Sequence, residues 1–141
     1  MISIQDYWMG RDREFPMAMN PDLEKNALLM VDLANKLMIL ARVGGVFFET
    51  SPKTGTAVAS GWRPASINAA TPNAAPNSKH MTGQAIDLYD PDGDLDEWLL
   101  TADGQKTLTD LGLWHEHPSA TKGWAHVQSI PPRSGRRTFY P

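Results

Sequence analysis

Two histidines and one aspartate in the second half of the chain have the residue types and surroundings of metal ligands. His80 precedes Gly83, which lets a loop turn sharply, and Asp87 follows on a segment typical of a strand. His126 lies in a second such segment. Two imidazole nitrogens and one carboxylate oxygen suit one zinc ion, and three protein ligands leave a fourth position for water, as in catalytic zinc sites. The His-x6-Asp spacing alone, however, is more typical of polar residues that meet only solvent.

The residues around these candidates resemble a known family. Residues 78–87 read Ser-Lys-His-Met-Thr-Gly-Gln-Ala-Ile-Asp, similar to the Ser-x-His-x-x-Gly-x-Ala-x-Asp signature of the M15 zinc peptidases. Residues 60–64 (Ser-Gly-Trp-Arg-Pro) resemble the family's Ser-Gly-aromatic-Arg segment, and residues 124–128 (Trp-Ala-His-Val-Gln) resemble its closing segment. The family includes D-alanyl-D-alanine carboxypeptidases and phage L-alanyl-D-glutamate endolysins.

The resemblance implies a DD-peptidase (hedgehog-like) fold that binds one zinc ion and hydrolyses a peptide bond in the stem peptides of bacterial peptidoglycan. It assigns His80, Asp87 and His126 as the zinc ligands. It also implies that Arg63 neutralises a carboxylate of the substrate with its fork of donors, and that Ser78 lines the pocket. The residues themselves are also compatible with a loop-bracing Arg63 and a simple loop hydroxyl at Ser78.

The catalytic base is the point at which the chain departs from the family pattern. Zinc hydrolysis needs a carboxylate that takes a proton from water and hands it to the leaving amine. In the family this acid commonly stands three residues before the last ligand, where this chain has Gly123. The nearest candidate is Glu116, which strand alternation directs away from His115 and His117. We expect Glu116 to be the base; if the histidines face the site instead, His117 would steady the oxyanion.

The helices that must position these residues are visible in the apolar pattern. A long amphipathic helix begins after the capping residue Asn20 and ends at Gly44. Its predicted core face comprises Leu23, Ala27, Met30, Val31, Ala34, Leu37, Met38 and Ala41. We also expect a short helix over residues 2–9, and helical residues over about 95–111 with a break near Gly104.

The predicted strands are short and occur in blocks. They cover residues 46–50, 57–60, 84–89, 113–117 and 124–128, and residues 64–79 are expected to form a loop with one helical turn. The acidic run Asp90, Asp92 and Asp94 is spaced like a calcium loop, but Leu95 occupies the required glycine position, which favours a turn and a helix cap. Together the elements predict an α+β domain with a small antiparallel sheet and packed helices.

Composition bounds the class of protein. The 141 residues, 41% hydrophobic and 21% charged, predict one domain, with a metal-site core over about 57–128 and a basic, solvated tail over 131–141. A net charge of −3 gives no general attraction to nucleic acid, and the absence of cysteine excludes disulfides and thiolate chemistry. No stretch reaches the roughly 18 apolar residues of a membrane span, so no membrane insertion is expected.

The predicted setting and the alternatives follow from these observations. The first residues contain no basic region followed by an apolar run, so we expect no signal peptide and synthesis in the cytoplasm. With the resemblance, this fits a phage or prophage lysis protein that another protein releases to the cell wall. The alternative, supported by Gly123, is a metal-binding phage structural or cell-wall-binding module without hydrolase activity. A third possibility is a structural ion whose ligands include His115 or His117.

Overall fold

A computed structural model describes all 141 residues and gives a mixed α+β protein with six helices and a five-stranded sheet. The helices are α1 (Ile4–Trp8), α2 (Arg11–Glu14), α3 (Pro21–Val43), α4 (Ala65–Ala70), α5 (Asp94–Leu99) and α6 (Ala102–Leu111). The strands are β1 (Val58–Ser60), β2 (Ala85–Tyr89), β3 (Trp114–Glu116), β4 (Trp124–Gln128) and β5 (Thr138–Phe139). None of the helices combines the length and apolar character needed to cross a membrane.

Helix α3 is the main support of the sheet. Asn20 caps it, with Oδ1 accepting from the backbone N–H of Leu23 at 2.9 Å, and Gly44 ends it. The eight side chains predicted for its core face are the eight that are buried, so this prediction is confirmed. They share one apolar cluster with residues of β1, β2 and β4. Burial of this face of α3 therefore holds the helix against one side of the sheet.

The strands lie in the order β1-β2-β4-β3-β5. The first four pair antiparallel, as predicted, but β5 joins β3 in parallel. The expectation of a solvated C-terminal tail is wrong for this segment, because His115 N–H donates to the Arg137 carbonyl at 2.8 Å and His117 N–H to that of Phe139 at 2.7 Å. The C-terminal segment thus pairs with β3 and adds a fifth strand to the sheet.

Side-chain alternation gives the sheet two chemically different faces. The neighbours of the two ligand candidates on β2 and β4 are all fully buried and belong to the apolar cluster: Ile86, Leu88, Ala125 and Val127. Asp87 and His126 occupy the intervening positions and are direct cross-strand partners. The face that packs on the helices therefore holds the strands in register, while the opposite face presents the polar groups.

The predicted strand over residues 46–50 is wrong. Val46 N–H donates to the carbonyl of Ala41 at 2.9 Å, so this residue closes the end of α3. Phe47 is 87% exposed, and residues 46–50 pair with no strand of the sheet. The apolar run resembles a strand, but it does not pair with β1, the edge strand that follows it in the sequence.

The predicted break in the helical stretch over residues 95–111 is present, but it lies at residues 100–101, between α5 and α6, rather than at Gly104. Thr101 caps α6, its hydroxyl accepting from the Gly104 N–H at 3.1 Å. Gly104 itself lies inside α6, and a Cβ there would stand 2.2 Å from the carbonyl oxygen of Trp98. The glycine is needed for close approach of the two helices rather than for a turn.

The acidic run before α5 acts as the predicted helix cap. The two carboxylate oxygens of Asp90 accept from the backbone N–H groups of Leu95 and Asp96 at 3.0 and 2.9 Å. These N–H groups would otherwise lack partners in the first turn of the helix. Asp90 is therefore engaged in folding and is not available as a calcium ligand.

Candidate metal centre

Three side chains from separate segments meet on the polar face of the sheet. His80 lies in the loop between α4 and β2, Asp87 is central in β2, and His126 is central in β4. One ligand atom of each lies within 4.8 Å of the others. The Asp87 Oδ1 atom is 3.2 Å from His80 Nε2 and 2.8 Å from His126 Nδ1. The predicted convergence of these residues is present, and the buried group could hold a metal ion.

The loop around His80 is held by backbone contacts. His80 Nδ1–H donates to the carbonyl oxygen of Gly61 at 2.8 Å, which turns Nε2 toward Asp87. Gly83 adopts φ +75°, and a Cβ there would press on the side chain and backbone of Leu23 in α3. The predicted sharp turn at Gly83 is therefore real, and it lets the loop pass close to the helix before entering β2.

Gly61 has a second reason to be glycine. A Cβ at this position would lie 2.0 Å from the carbonyl oxygen of Tyr7, whose backbone accepts from Trp62 N–H at 3.1 Å. The N-terminal helix α1 thus packs directly on the segment that orients His80. Sequence reasoning assigned this glycine only to the family pattern, whereas the contact explains its role in positioning the ligand.

The three ligand candidates perturb one another's pKa values. Burial alone would raise the pKa of Asp87, but the charges and hydrogen bonds of His80 and His126 lower it far below its usual range. Burial lowers the pKa of His80 and outweighs its attraction to Asp87. Burial also opposes the charge on His126, yet its hydrogen bond and charge interaction with Asp87 raise that pKa. Asp87 is thus ionised at neutral pH, the form in which a carboxylate can bind a metal ion.

Arg63 lies against the ligand group rather than in open solvent. Its Nη2 donates to Asp87 Oδ2 at 3.3 Å and its Nε donates to Ser60 Oγ at 3.1 Å. Ser78 lies two residues before His80 in the same loop, and its Oγ accepts from the backbone N–H of His80 at 3.2 Å. Both side chains therefore support ligands, and the substrate roles implied for them remain predictions.

Glu116 reaches the site from the neighbouring strand. Its Oε2 is 3.9 Å from His126 Nδ1, while the adjacent His115 points to the opposite face, where its Nε2 lies 2.7 Å from Asp96 Oδ1. This is the alternation expected for β3. Burial raises the pKa of Glu116, and the charge of Asp87 raises it further against the opposing effect of His126. A carboxyl group with a raised pKa holds its proton more tightly than a free one, which suits a group that accepts a proton and returns it.

His117 stands apart from the metal-ligand group. The backbone N–H of Ser119 donates to its Nδ1 at 3.1 Å, and its ring stacks on Tyr140 with centroids 4.4 Å apart. The group that could hold an ion contains neither His115 nor His117. The oxyanion role considered for His117 has no supporting contact here and stays a prediction.

Two contacts to His126 were not foreseen. Gln128 Oε1 lies 3.0 Å from His126 Nε2, and the Phe139 ring meets the imidazole edge-on with centroids 6.4 Å apart. Strand alternation could have found Gln128, since positions 126 and 128 share a face. No spacing signal could have found Phe139, because it reaches the site only through the unexpected pairing of β5 with β3.

The exposure of the side chains rises across this group toward Glu116. The exposed fraction of the side chain rises from 3% in His80 and 7% in Asp87 to 11% in His126 and 18% in Glu116. The three ligand candidates are therefore buried, and Glu116 beside them is the most exposed of the four side chains. In comparisons with family models, curated proteins and solved structures, none matches this chain.

Proposed function

We propose that this protein is a zinc-dependent peptidase of the DD-peptidase fold that hydrolyses a peptide bond in peptidoglycan stem peptides. The observation that carries the proposal is the convergence of His80, Asp87 and His126 on one point, with Glu116 beside it. The peptide class comes from the resemblance of the Ser78-to-Asp87 segment to the M15 signature. The reaction class comes from the ligand set and the adjacent carboxyl group.

The donor set fits zinc. Tetrahedral zinc with bonds of about 2.0–2.1 Å places neighbouring ligand atoms roughly 3.3 Å apart. The separations of 3.2 and 2.8 Å from Asp87 Oδ1 to His80 Nε2 and His126 Nδ1 are close to that value. Two imidazoles with one carboxylate suit zinc better than calcium or magnesium, which favour oxygen ligands.

The catalytic work of the chain itself would fall to Glu116. A zinc ion bound at this centre supplies Lewis acidity to the scissile carbonyl and lowers the pKa of its water. Glu116 would accept the proton of the attacking water and then donate it to the leaving amine. Its raised pKa and its partial exposure suit both steps. It would replace, from β3, the acid that the family carries at the position of Gly123.

Arg63 would bind the peptide beside the ion. Two of its guanidinium nitrogens, Nε and Nη2, already donate to Ser60 and Asp87. The third, Nη1, is left for a substrate carboxylate, which an arginine can receive without losing its internal contacts. Ser78, two residues before His80 in the same loop, would line the pocket that receives the peptide.

A second function is supported by Gly123. This residue has no side chain to place an acid three positions before His126. A metal-binding module of a phage structure or a wall-binding protein would need the three ligands but no base. The two functions differ in whether zinc-loaded protein releases new amino groups from cell-wall peptides.

The test is a paired measurement of metal content and hydrolysis. Purified wild type and His80→Ala are dialysed against zinc, assayed for bound metal, and incubated with peptidoglycan fragments. We expect about one zinc per wild-type chain with release of amino groups, and neither in the variant. Zinc binding without release by wild type would favour the module. A wild type that takes up no zinc would overturn both functions.

A further inference from the structure

Gln128 contacts a ligand imidazole on the side turned away from the ion. It stands two residues after His126 on β4, so both side chains lie on the polar face of the sheet. Gln128 is only 5% exposed. Its Oε1 lies 3.0 Å from His126 Nε2, and its Nε2 donates to the backbone carbonyl of Ile130 at 2.8 Å. Both ends of the amide are therefore engaged.

The contact with Ile130 determines which way the amide faces. A backbone carbonyl only accepts hydrogen bonds, so the amide nitrogen must point toward it. The amide oxygen then faces His126, and because this oxygen is also only an acceptor, His126 Nε2 must carry the hydrogen. The nitrogen that would face an ion is Nδ1, which lies 2.8 Å from Asp87 Oδ1 and donates a hydrogen to that carboxylate in the metal-free protein. An ion would take the place of this hydrogen, whereas Gln128 keeps the hydrogen on Nε2.

The other histidine is held in the opposite way. His80 Nδ1 faces the carbonyl of Gly61 at 2.8 Å, so Nδ1 carries the hydrogen and Nε2 is left for the ion. The two imidazoles thus present different nitrogens to the same point. Each is directed by an acceptor that the chain places behind the ring.

We infer that Gln128 is a positioning residue that fixes His126 in the tautomer ligating through Nδ1, so that the site has one Nε2 and one Nδ1 ligand. This inference rests on the metal centre of the proposed function and adds a residue outside the three ligands. Since an amide does not titrate in the useful range, the role of Gln128 is orientation and not proton transfer. Removing such a partner behind a ligating histidine typically weakens metal affinity 10- to 100-fold.

The first experiment measures zinc affinity by competition with a chromophoric chelator. Gln128→Leu removes the acceptor and is expected to weaken zinc binding about 10- to 100-fold. Gln128→Glu keeps an acceptor for the same N–H and should retain most of the affinity. The matched control is Gln105→Leu, which removes a half-buried amide that donates two hydrogen bonds, to Leu99 and Thr138, and does not contact the ligand group. It should leave zinc affinity unchanged.

The second experiment reads the tautomers directly and needs only the wild type. Two-bond 15N–1H correlation of the imidazoles in zinc-loaded protein should show hydrogen on Nε2 of His126 and on Nδ1 of His80. Both rings ligating through Nε2, or wild-type affinity in Gln128→Leu, would overturn the role of Gln128 while leaving the zinc site intact. A wild type without zinc affinity would overturn the metal centre itself, and with it this inference.

Discussion

The sheet carries two buried histidine–aspartate pairs, one on each face, and they have different surroundings. On the polar face, His126 Nδ1 lies 2.8 Å from Asp87 Oδ1; on the core face, His115 Nε2 lies 2.7 Å from Asp96 Oδ1. Residue types, burial and separation are nearly the same. A buried histidine–aspartate contact is therefore not enough to identify a metal centre.

The core-face pair is closed by its own partners. Thr121 Oγ1 donates to Asp96 Oδ2 at 3.4 Å, and Thr138 Oγ1 lies 3.4 Å from His115 Nδ1. His115 is fully buried. Each polar atom of the pair thus has a protein partner, and no third ligand or path from solvent adjoins it. We interpret this pair as a polar link that fastens α5 and β5 to β3.

The polar-face pair differs in what surrounds it. Asp87 also meets His80 and Arg63, so three possible ligand atoms converge where the core pair has two. Glu116 lies at the accessible margin. His115 and Glu116 are adjacent on β3, but His115 points to the core face of the sheet and Glu116 to the polar face. The difference shows that a third converging ligand and access to solvent, rather than the pair alone, mark the candidate site.

The largest expected effect is on the rate of hydrolysis and would come from removing Glu116, the proposed proton acceptor on the polar face. Glu116→Gln keeps the shape of the side chain, and we expect peptide hydrolysis to fall about 10²- to 10⁴-fold, the usual contribution of a general acid–base group. Zinc content should not change, because Glu116 is outside the ligand group. Amino-group release and metal analysis on the same samples measure both quantities. The control Glu97→Gln alters an exposed acid of α5 and should retain full activity.

Hydrolysis at the wild-type rate in Glu116→Gln would show that another group takes the proton. Loss of zinc from the variant would instead place Glu116 among the ligands. Either result would contradict the proposal that Glu116 is a base that lies beside the ligand group without belonging to it.

The next effect would come from the same substitution applied to each pair. Asp87→Asn replaces a charged ligand, and we expect zinc affinity to fall by more than roughly 100-fold, beyond the loss typical of an outer partner. Asp96→Asn should leave zinc affinity unchanged but lower the free energy of unfolding by about 1–3 kcal/mol, because a buried hydrogen-bonded carboxylate is lost. Chelator competition and denaturant unfolding of metal-free protein measure the two quantities. Weaker zinc binding in Asp96→Asn would mean that the two faces are not independent.

Much of this contrast was predictable from the sequence where local pattern decides the structure. The buried face of α3 follows from its spacing, and the alternation along β3 separates Glu116 from His115. The convergence of His80, Asp87 and His126 was expected from the resemblance of the surrounding residues to the M15 signature, because the His-x6-Asp spacing alone does not predict it. In each case, the residues that decide the outcome are neighbours in the chain or belong to one motif.

The parts that were missed depend on distant pairing. The parallel contact of β5 with β3 joins segments more than 20 residues apart, and only it brings Phe139 against His126. The orientation of the Gln128 amide is set by its hydrogen bond to the carbonyl of Ile130, and residue types do not specify this contact. Apolar residues 46–50 have strand composition, but a strand also needs a neighbouring strand that pairs with it, and that information is not local.

The smallest expected effect is on the free energy of unfolding at high pH, and it comes from Tyr7, which holds β2 from the core side. Tyr7 O–H donates to the Ala85 carbonyl of β2 at 2.9 Å, and burial, with the charge of Asp87, raises the pKa of Tyr7 well above its ordinary value of about 10. The folded protein keeps this proton where the unfolded chain loses it, so stability is level below about pH 10 and falls above it by up to about 1.4 kcal/mol per pH unit. Urea unfolding of metal-free protein from pH 8 to 11 measures the fall, which should be absent in Tyr7→Phe and unchanged in Asp96→Asn. Equal slopes in wild type and Tyr7→Phe would show that Tyr7 ionises freely, and that the strand carrying Asp87 is less tightly held than its contacts indicate.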